Sequence, residues 1–266
     1  MRTLTPQGVA GRRVLIVAPH PDDEAVGCGG YAHLLAAAGA RVSVVVMARG
    51  DGGIDASDGA VDPTTRQAES VACCAALGTE PPHFLGLTSA AIRDDPAAAG
   101  AALARHLEPG SVDELLVPSP LERHDTHRAC LLAALLSGVA RPDATWWGWG
   151  AWDAIPAWDD VVEVDVSVAR VAKTQAIRAH ASQDGPRSLA AATLARDASQ
   201  AAFSVITGKE TRRAVERLMD LSALAAAVRD QREVSALADA VGGWTAERSA
   251  HWATRLWGDA DGSTAV

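Results

Sequence analysis

Pro19-His20-Pro21-Asp22-Asp23-Glu24 sets one imidazole beside three consecutive carboxylates. Adjacent negative charges repel one another unless a cation or hydrogen bonds compensate them. A plain turn needs only a glycine, a proline or a cap, so this group points to chemistry. A second group, His124-Asp125-Thr126-His127, adds two imidazoles and another carboxylate. Together they offer the nitrogen and oxygen donors of a catalytic zinc site, where three protein ligands leave one position for water.

Both groups stand where a strand gives way to a helix. Residues 14–18 and 42–47 are continuous apolar runs of strand length, and residues 82–87 and 115–117 are weaker strands. Between them lie segments of helical length at residues 24–38, 63–77, 96–107 and 127–139. Gly39 and Gly78 follow helix ends, and Asp62-Pro63 and Asp95-Pro96 each put a capping side chain before a proline. A Trp-rich stretch at residues 146–152 precedes a strand at 161–166 and a helix at 167–180. This alternation predicts an α/β fold with a Rossmann-like, mostly parallel sheet, helices on both faces, and a C-terminal helical appendage. Residues 1–184 form the catalytic α/β domain in this reading. Residues 185–266, with helical character and no strand signal, form an extension packed on it as a single structural unit. Ligands of open α/β sheets bind outside the carboxyl ends of the strands, where both groups lie. Gly27, Gly29 and Gly30 do not have dinucleotide spacing; they let the first helix approach the sheet closely.

The bulk properties narrow the partners. The chain has 266 residues and a formal net charge of -9, which argues against a surface built for nucleic-acid phosphates. No apolar run approaches the ~20 residues that cross a bilayer, and the N-terminal residues lack the apolar stretch of a signal peptide. Cys28, Cys73, Cys74 and Cys130 have no disulfide-like or C-x-x-C spacing and read as free thiols in a reducing compartment. The expectation is a soluble, cytoplasmic protein acting on a small molecule, with no nucleic acid and no membrane partner; a homo-oligomer stays open.

His20-Pro21-Asp22-Asp23-Glu24 resembles the signature of the LmbE/PIG-L family of zinc-dependent N-acetylglucosaminyl deacetylases. Arg66-x-x-Glu69 followed by Leu77-Gly78 is similar to that family's second helix, and Phe84-Leu85-Gly86-Leu87 to its third strand end. Lys173 with His180-Ala181-Ser182-Gln183 resembles its late H-x-S-Q motif, so the likeness spans roughly residues 12–183. The resemblance implies Zn2+ held by His20, Asp23 and His127, with Asp22 as general base. It implies His124 as the group that stabilises the oxyanion or protonates the leaving amine. The substrate it implies is an N-acetylated, or otherwise N-acylated, amino-sugar-containing small molecule. Zinc would acidify water for Asp22 and polarise the amide, and an imidazolium at His124 would add charge stabilisation. Gly50-Asp51 takes the place of the family's Gly-Glu pair, so Asp51 and Arg66 are candidates for substrate hydroxyls, as is Asp95, which also stands where a helix cap belongs. The Trp group could stack on a sugar, though a core position is the commoner fate of a tryptophan. The family reads H-x-D-H or H-x-N-H where this chain has Thr126, and Asp125 or Thr126 is placed to cap the following helix.

Two other functions use the same residues. Two histidines and one carboxylate are also the ligand set of non-haem iron oxygenases, so an oxidoreductase built on His20, Asp23 and His127 is the alternative. The altered second motif also admits a catalytically silent binding homologue. Asp22 and His124 speak for proton transfer and hence for hydrolysis.

Overall fold

A computed structural model of the protein describes residues 2–50, 61–156, 158–184, 188–206 and 212–257. Strands β1 (Arg2–Leu4), β2 (Arg13–Ala18), β3 (Arg41–Ala48), β4 (His83–Leu87), β5 (Val112–Pro118), β6 (Ala140–Trp149), β7 (Val161–Asp165) and β8 (Val215–Asp220) form one sheet in the order β1-β7-β8-β6-β5-β2-β3-β4. Every neighbouring pair is parallel except those made by β8, which runs antiparallel between β6 and β7. The helices are α1 (Asp23–Ala37), α2 (Pro63–Leu77), α3 (Ser89–Asp94), α4 (Pro96–Ala104), α5 (Asp125–Leu136), α6 (Arg170–Ala179), α7 (Leu189–Ile206), α8 (Ser222–Ala227) and α9 (Val234–Trp257).

The strand-length apolar runs are those of a sheet buried on both faces. Along β2, Leu15 and Val17 join one core while Val14, Ile16 and Ala18 join the other. That alternation follows from the two-residue period of a strand. Chain order reverses between β2 and β5: β3 and β4 lie on one side, β5 and β6 on the other. The crevice at such a reversal is where ligands of doubly wound sheets bind. It lies between the carboxyl ends of the strands that lead into the two histidine-bearing groups.

Helix α1 comes close to the sheet because its glycines carry no Cβ. A Cβ on Gly27 would fall 2.3 Å from Trp149, and one on Gly30 would fall 2.7 Å from Val166. Trp149 is fully buried and Trp146 and Trp147 nearly so, so three of the four clustered tryptophans are core; Trp152 stays 45% exposed. All four cysteines are free and buried.

The purely helical reading of residues 185–266 is corrected by β8, which lies inside the sheet. Its sequence, Val-Glu-Arg-Leu-Met-Asp, has no apolar run because buried Glu216 serves as an acceptor: it binds Lys173 Nζ at 2.6 Å and the backbone N–H groups of Gly30 and Tyr31. A charged residue with a polar task hides the strand pattern. The short strand β1 and helix α3 are also not legible in the sequence, being only three and six residues long. The sequence after Trp257 and most of the Gly/Asp-rich segment at residues 50–62 lie outside the described residues. No helix among the described residues is long and apolar enough to cross a membrane.

Candidate metal centre and catalytic site

The loop after β2 turns sharply at Asp22, which takes a positive φ of 121°. Backbone of this kind is costly for a residue with a Cβ and persists only where its surroundings hold it. Here Glu24 accepts from the Asp22 N–H at 2.9 Å, and Arg66 from α2 bonds the Asp22 carboxylate at 3.1 Å and the Pro21 carbonyl. Asp22 stands at the N-cap of α1 yet makes no capping bond, so its side chain is committed elsewhere. His124 stands likewise at the N-cap of α5 without capping it. Neither Asp125 nor Thr126 takes over that duty: Asp125 pairs with Arg128, and Thr126 accepts from Arg93.

His20, Asp23 and His127 converge. One donor atom from each lies within 4.8 Å of the others. Asp23 Oδ2 is 3.2 Å from His20 Nδ1 and 3.2 Å from His127 Nε2. The imidazole of His124 completes the group, its centroid 4.7 Å from that of His127 and 5.1 Å from that of His20. Trp149 walls the cluster from the sheet, its ring 6.0 Å from that of His127.

The residues fit a cation. His127 Nε2 is buried without a hydrogen-bond partner although Asp23 Oδ2 is close, so its lone pair points at a shared centre. Its other nitrogen, Nδ1, lies 2.9 Å from Glu122 Oε2 and donates to it, which turns Nε2 towards the shared centre, where a bound metal would displace any proton. His20 has a matching arrangement: Nδ1 faces Asp23, and Nε2 lies 3.2 Å from Ser89 Oγ at the start of α3. Sequence reasoning misses both Glu122 and Ser89. The only signal for Glu122 is an acidic residue five positions before a ligand, and nothing marks Ser89.

Electrostatics divides the two aspartates. Burial, followed by the neighbouring Asp23, pushes Asp22 up to about 7, against the pull of Arg66 and His180. Burial also works to raise Asp23, but His127 and His20 outweigh it and hold that carboxylate well below the usual range. One acid is thus poised to exchange a proton near neutral pH while its neighbour stays ionised. Burial lowers His127, but Asp23 and then Glu122 reverse the effect and raise it to about 10. His124 is pushed below the ordinary histidine value, first by burial and then by His127 and His20. That shift favours the neutral ring, which presents an N–H dipole, over the imidazolium.

The other candidates fall in different places. Arg66 is almost fully buried against Asp22, Pro21 and Gly50, so it holds the turn and the Asp22 carboxylate. Asp95 is exposed and accepts from Ala98 N–H as the cap of α4, and no described bond links it to the histidine cluster. Asp51 lies outside the described residues. The late motif supports the site from behind: His180 Nε2 is 3.3 Å from Glu24 Oε1, and Ser182 binds Glu69 through both its N–H and its hydroxyl. Glu24, Cys73 and His180 also cluster tightly, fully buried beneath α1.

The family described as PIG-L, GlcNAc-PI de-N-acetylase, matches residues 15–136. Just under half of the chain thus matches a PIG-L family domain. That stretch runs from β2 to the end of α5 and includes all five residues of the cluster. A search of the curated proteins finds no match. Among solved structures, the N,N'-diacetylchitobiose deacetylase of Pyrococcus horikoshii is similar with a TM-score of 0.61 at 21% identity, over 80% of this chain and 85% of that one. The A40926 pseudoaglycone deacetylase is similar with a TM-score of 0.61 at 20% identity, over 78% of this chain and 96% of that one. The 4-carboxy-2-hydroxymuconate hydratase of Pseudomonas putida KT2440 is similar with a TM-score of 0.61 at 18% identity, over 79% of this chain and 96% of that one. A hydratase and deacetylases share this scaffold, so the likeness establishes the fold, and the reaction has to be argued from the site.

Proposed function

We propose that this chain is a zinc-dependent amidohydrolase that removes an N-acetyl or other N-acyl group from an amino-sugar-containing small molecule. The observation that carries the reading is the convergence of His20 Nδ1, Asp23 and His127 Nε2, flanked by an acid poised near neutrality and a neutral imidazole. His20, Asp23 and His127 would hold the cation, which supplies Lewis-acid polarisation of the carbonyl and acidifies water.

The remaining work belongs to side chains. Asp22 accepts a proton from the attacking water as its oxygen bonds to the amide carbon. The His124 N–H then donates a hydrogen bond to the oxygen that gains charge. Asp22, protonated at that point, delivers its proton to the nitrogen as the C–N bond breaks, leaving a carboxylate and an amine. Arg66 keeps the Asp22 carboxylate oriented throughout. His124 is the weaker proton donor, because its environment keeps it neutral.

Two histidines and one carboxylate also suit ferrous iron. The paired acid and imidazole beside them serve proton transfer, which favours hydrolysis over oxygen chemistry. An amine-release assay across N-acetylglucosaminides of varied aglycone, with and without a chelator, tests the reading. Asp22→Asn is expected to keep the metal and lose about a hundredfold or more in turnover. Loss of zinc in that variant, or iron with oxygen consumption in the parent, would overturn the assignment. The cytoplasmic location and the extension of the PIG-L domain by residues 185–266 belong to the same proposal.

A further inference from the structure

At the opposite end of the sheet from the histidine cluster, a pocket of about 420 Å³ lies between the start of β6, the last turn of α5 and the end of α8. Clefts of ~300–1,000 Å³ are the size that holds a small organic molecule. From His127 to Leu136, which lines the pocket, α5 rises about 14 Å at ~1.5 Å per residue, so the two sites are separate. The inner wall is apolar: Ala134, Ala144 and Trp146 are buried there. Among the described residues, three arginines and no acidic side chain line it. Arg141 is matched by Asp113 and Asp143, each at 3.4 Å. Arg229 and Arg232 make no ion pair among the described residues. Arg229 Nη2 donates to the Pro142 carbonyl, and Arg232 Nη1 donates to the carbonyls of Arg229 and Gln231 at 2.6 and 3.0 Å. A carbonyl carries no net charge, so these bonds hold the two guanidiniums in place without neutralising them.

We infer that this pocket binds a small amphiphilic anion, a carboxylate or a phosphate monoester, whose head seats on Arg229 and Arg232 while its apolar body lies against Ala144 and Trp146. A guanidinium has five N–H donors, and each of these two arginines spends only one nitrogen on the backbone, so donors remain for an oxyanion. The chain's net charge of -9 disfavours anions over the surface at large, so two cations without acidic partners mark where one is drawn. The apolar wall adds affinity in proportion to the ligand area it removes from water, which a bare inorganic ion does not supply. A ligand seated here touches α5 and β6, the elements that carry His127 and Trp149 at their far ends. Nothing in the binding depends on the reaction proposed for the histidine cluster.

The test titrates the full chain with octanoate, octyl phosphate, their neutral analogue octanol, and inorganic phosphate. It follows the indole N–H resonance of Trp146, assigned by its loss in Trp146→Phe. One or both amphiphilic anions are expected to shift that resonance and to bind about tenfold more tightly than octanol or inorganic phosphate, the size of one charge-assisted hydrogen bond. The tighter of the two identifies the head group, and raising the ionic strength should weaken it. Arg229→Gln and Arg232→Gln should each remove most of the preference over octanol, and Arg232→Lys should restore part of it. Both arginines are exposed, and circular dichroism verifies the fold of each variant. Arg232, whose bonds stay within its own turn, carries the test if Arg229→Gln, which also unties Pro142, fails to fold. Anions that bind no better than octanol, or a preference that survives Arg232→Gln, overturn the inference. So does inorganic phosphate binding as tightly as octyl phosphate, or a carboxylate that binds without moving Trp146, as one drawn to the histidine cluster would.

Discussion

Replacing Glu122 by glutamine removes one charge from the site with almost no change of shape. Glu122 is buried and divides its oxygens between two tasks: Oε2 accepts from His127 Nδ1 at 2.9 Å, and Oε1 accepts from the N–H groups of Ala151, Trp152 and Asp153 at 2.7, 3.3 and 3.4 Å. Both tasks require an acceptor, and an amide has only one. If the amide oxygen faces His127, the NH2 group meets three donors and the loop carrying Trp152 loses its anchor. If the NH2 group faces His127, Nδ1 must accept, the ring proton moves to Nε2, and the metal ligand is blocked. Either orientation forfeits a hydrogen bond to a charged group, worth about 1.5–3 kcal/mol. At 1.4 kcal/mol per tenfold, that predicts a loss of roughly 10- to 150-fold in metal affinity, in line with the ~10–100-fold cost typical of groups that orient metal-binding histidines. The assay is a competition titration of metal-free protein with zinc and a chromophoric chelator, alongside circular dichroism to verify the fold. A folded Glu122→Gln protein that binds zinc within twofold of the parent would refute the reasoning, because it would mean that neither the tautomer of His127 nor the loop contact governs the ligand.

Three further outcomes follow from the same structure. His124→Ala should bind zinc as the parent does while turnover drops about 10²- to 10³-fold, the usual cost of an oxyanion donor; unchanged turnover would remove His124 from the mechanism. Lys173→Met should leave the carboxylate of Glu216 buried without the ammonium it binds, and that of Asp197 with Arg196 alone. Breaking such a pair costs about 3–5 kcal/mol, so a fall of roughly 10 °C in Tm is expected, and a shift under about 2 °C would show that the pairing is not needed. His180 is raised above the ordinary histidine value, with burial opposing and Glu24 prevailing. Its contribution to stability is therefore complete below about pH 6.5 and disappears as pH rises through the raised value. Thermal melts should show that decline in the parent and lack it in His180→Gln.

Strand, turn and helix around both chemical groups were legible in the sequence because each is a local matter. Continuous apolar runs such as residues 14–18 can be buried only in a doubly covered sheet, and Asp62-Pro63 starts α2 by its own chemistry, its carboxylate accepting from Thr64 N–H. Likewise the donors His20, Asp22, Asp23, His124 and His127 announce themselves by type and spacing, and β2 and β5 deliver them to one crevice. What the linear order could not settle were properties that depend on contacts between distant segments. Glu122 orients His127 only because the fold also brings the N–H groups of residues 151–153 to its other oxygen. Strand β8 is written in charged residues, since Glu216 finds Lys173 and the α1 backbone from 43 and 186 positions away. The separation of the Asp22 and Asp23 pKa values, and the lowering of His124, arise from burial and from which charges end up nearby, quantities that exist only after packing. Residue type and spacing named the chemistry; the tertiary structure decided which carboxylate is raised towards neutrality, which imidazole is lowered, and which charges find partners.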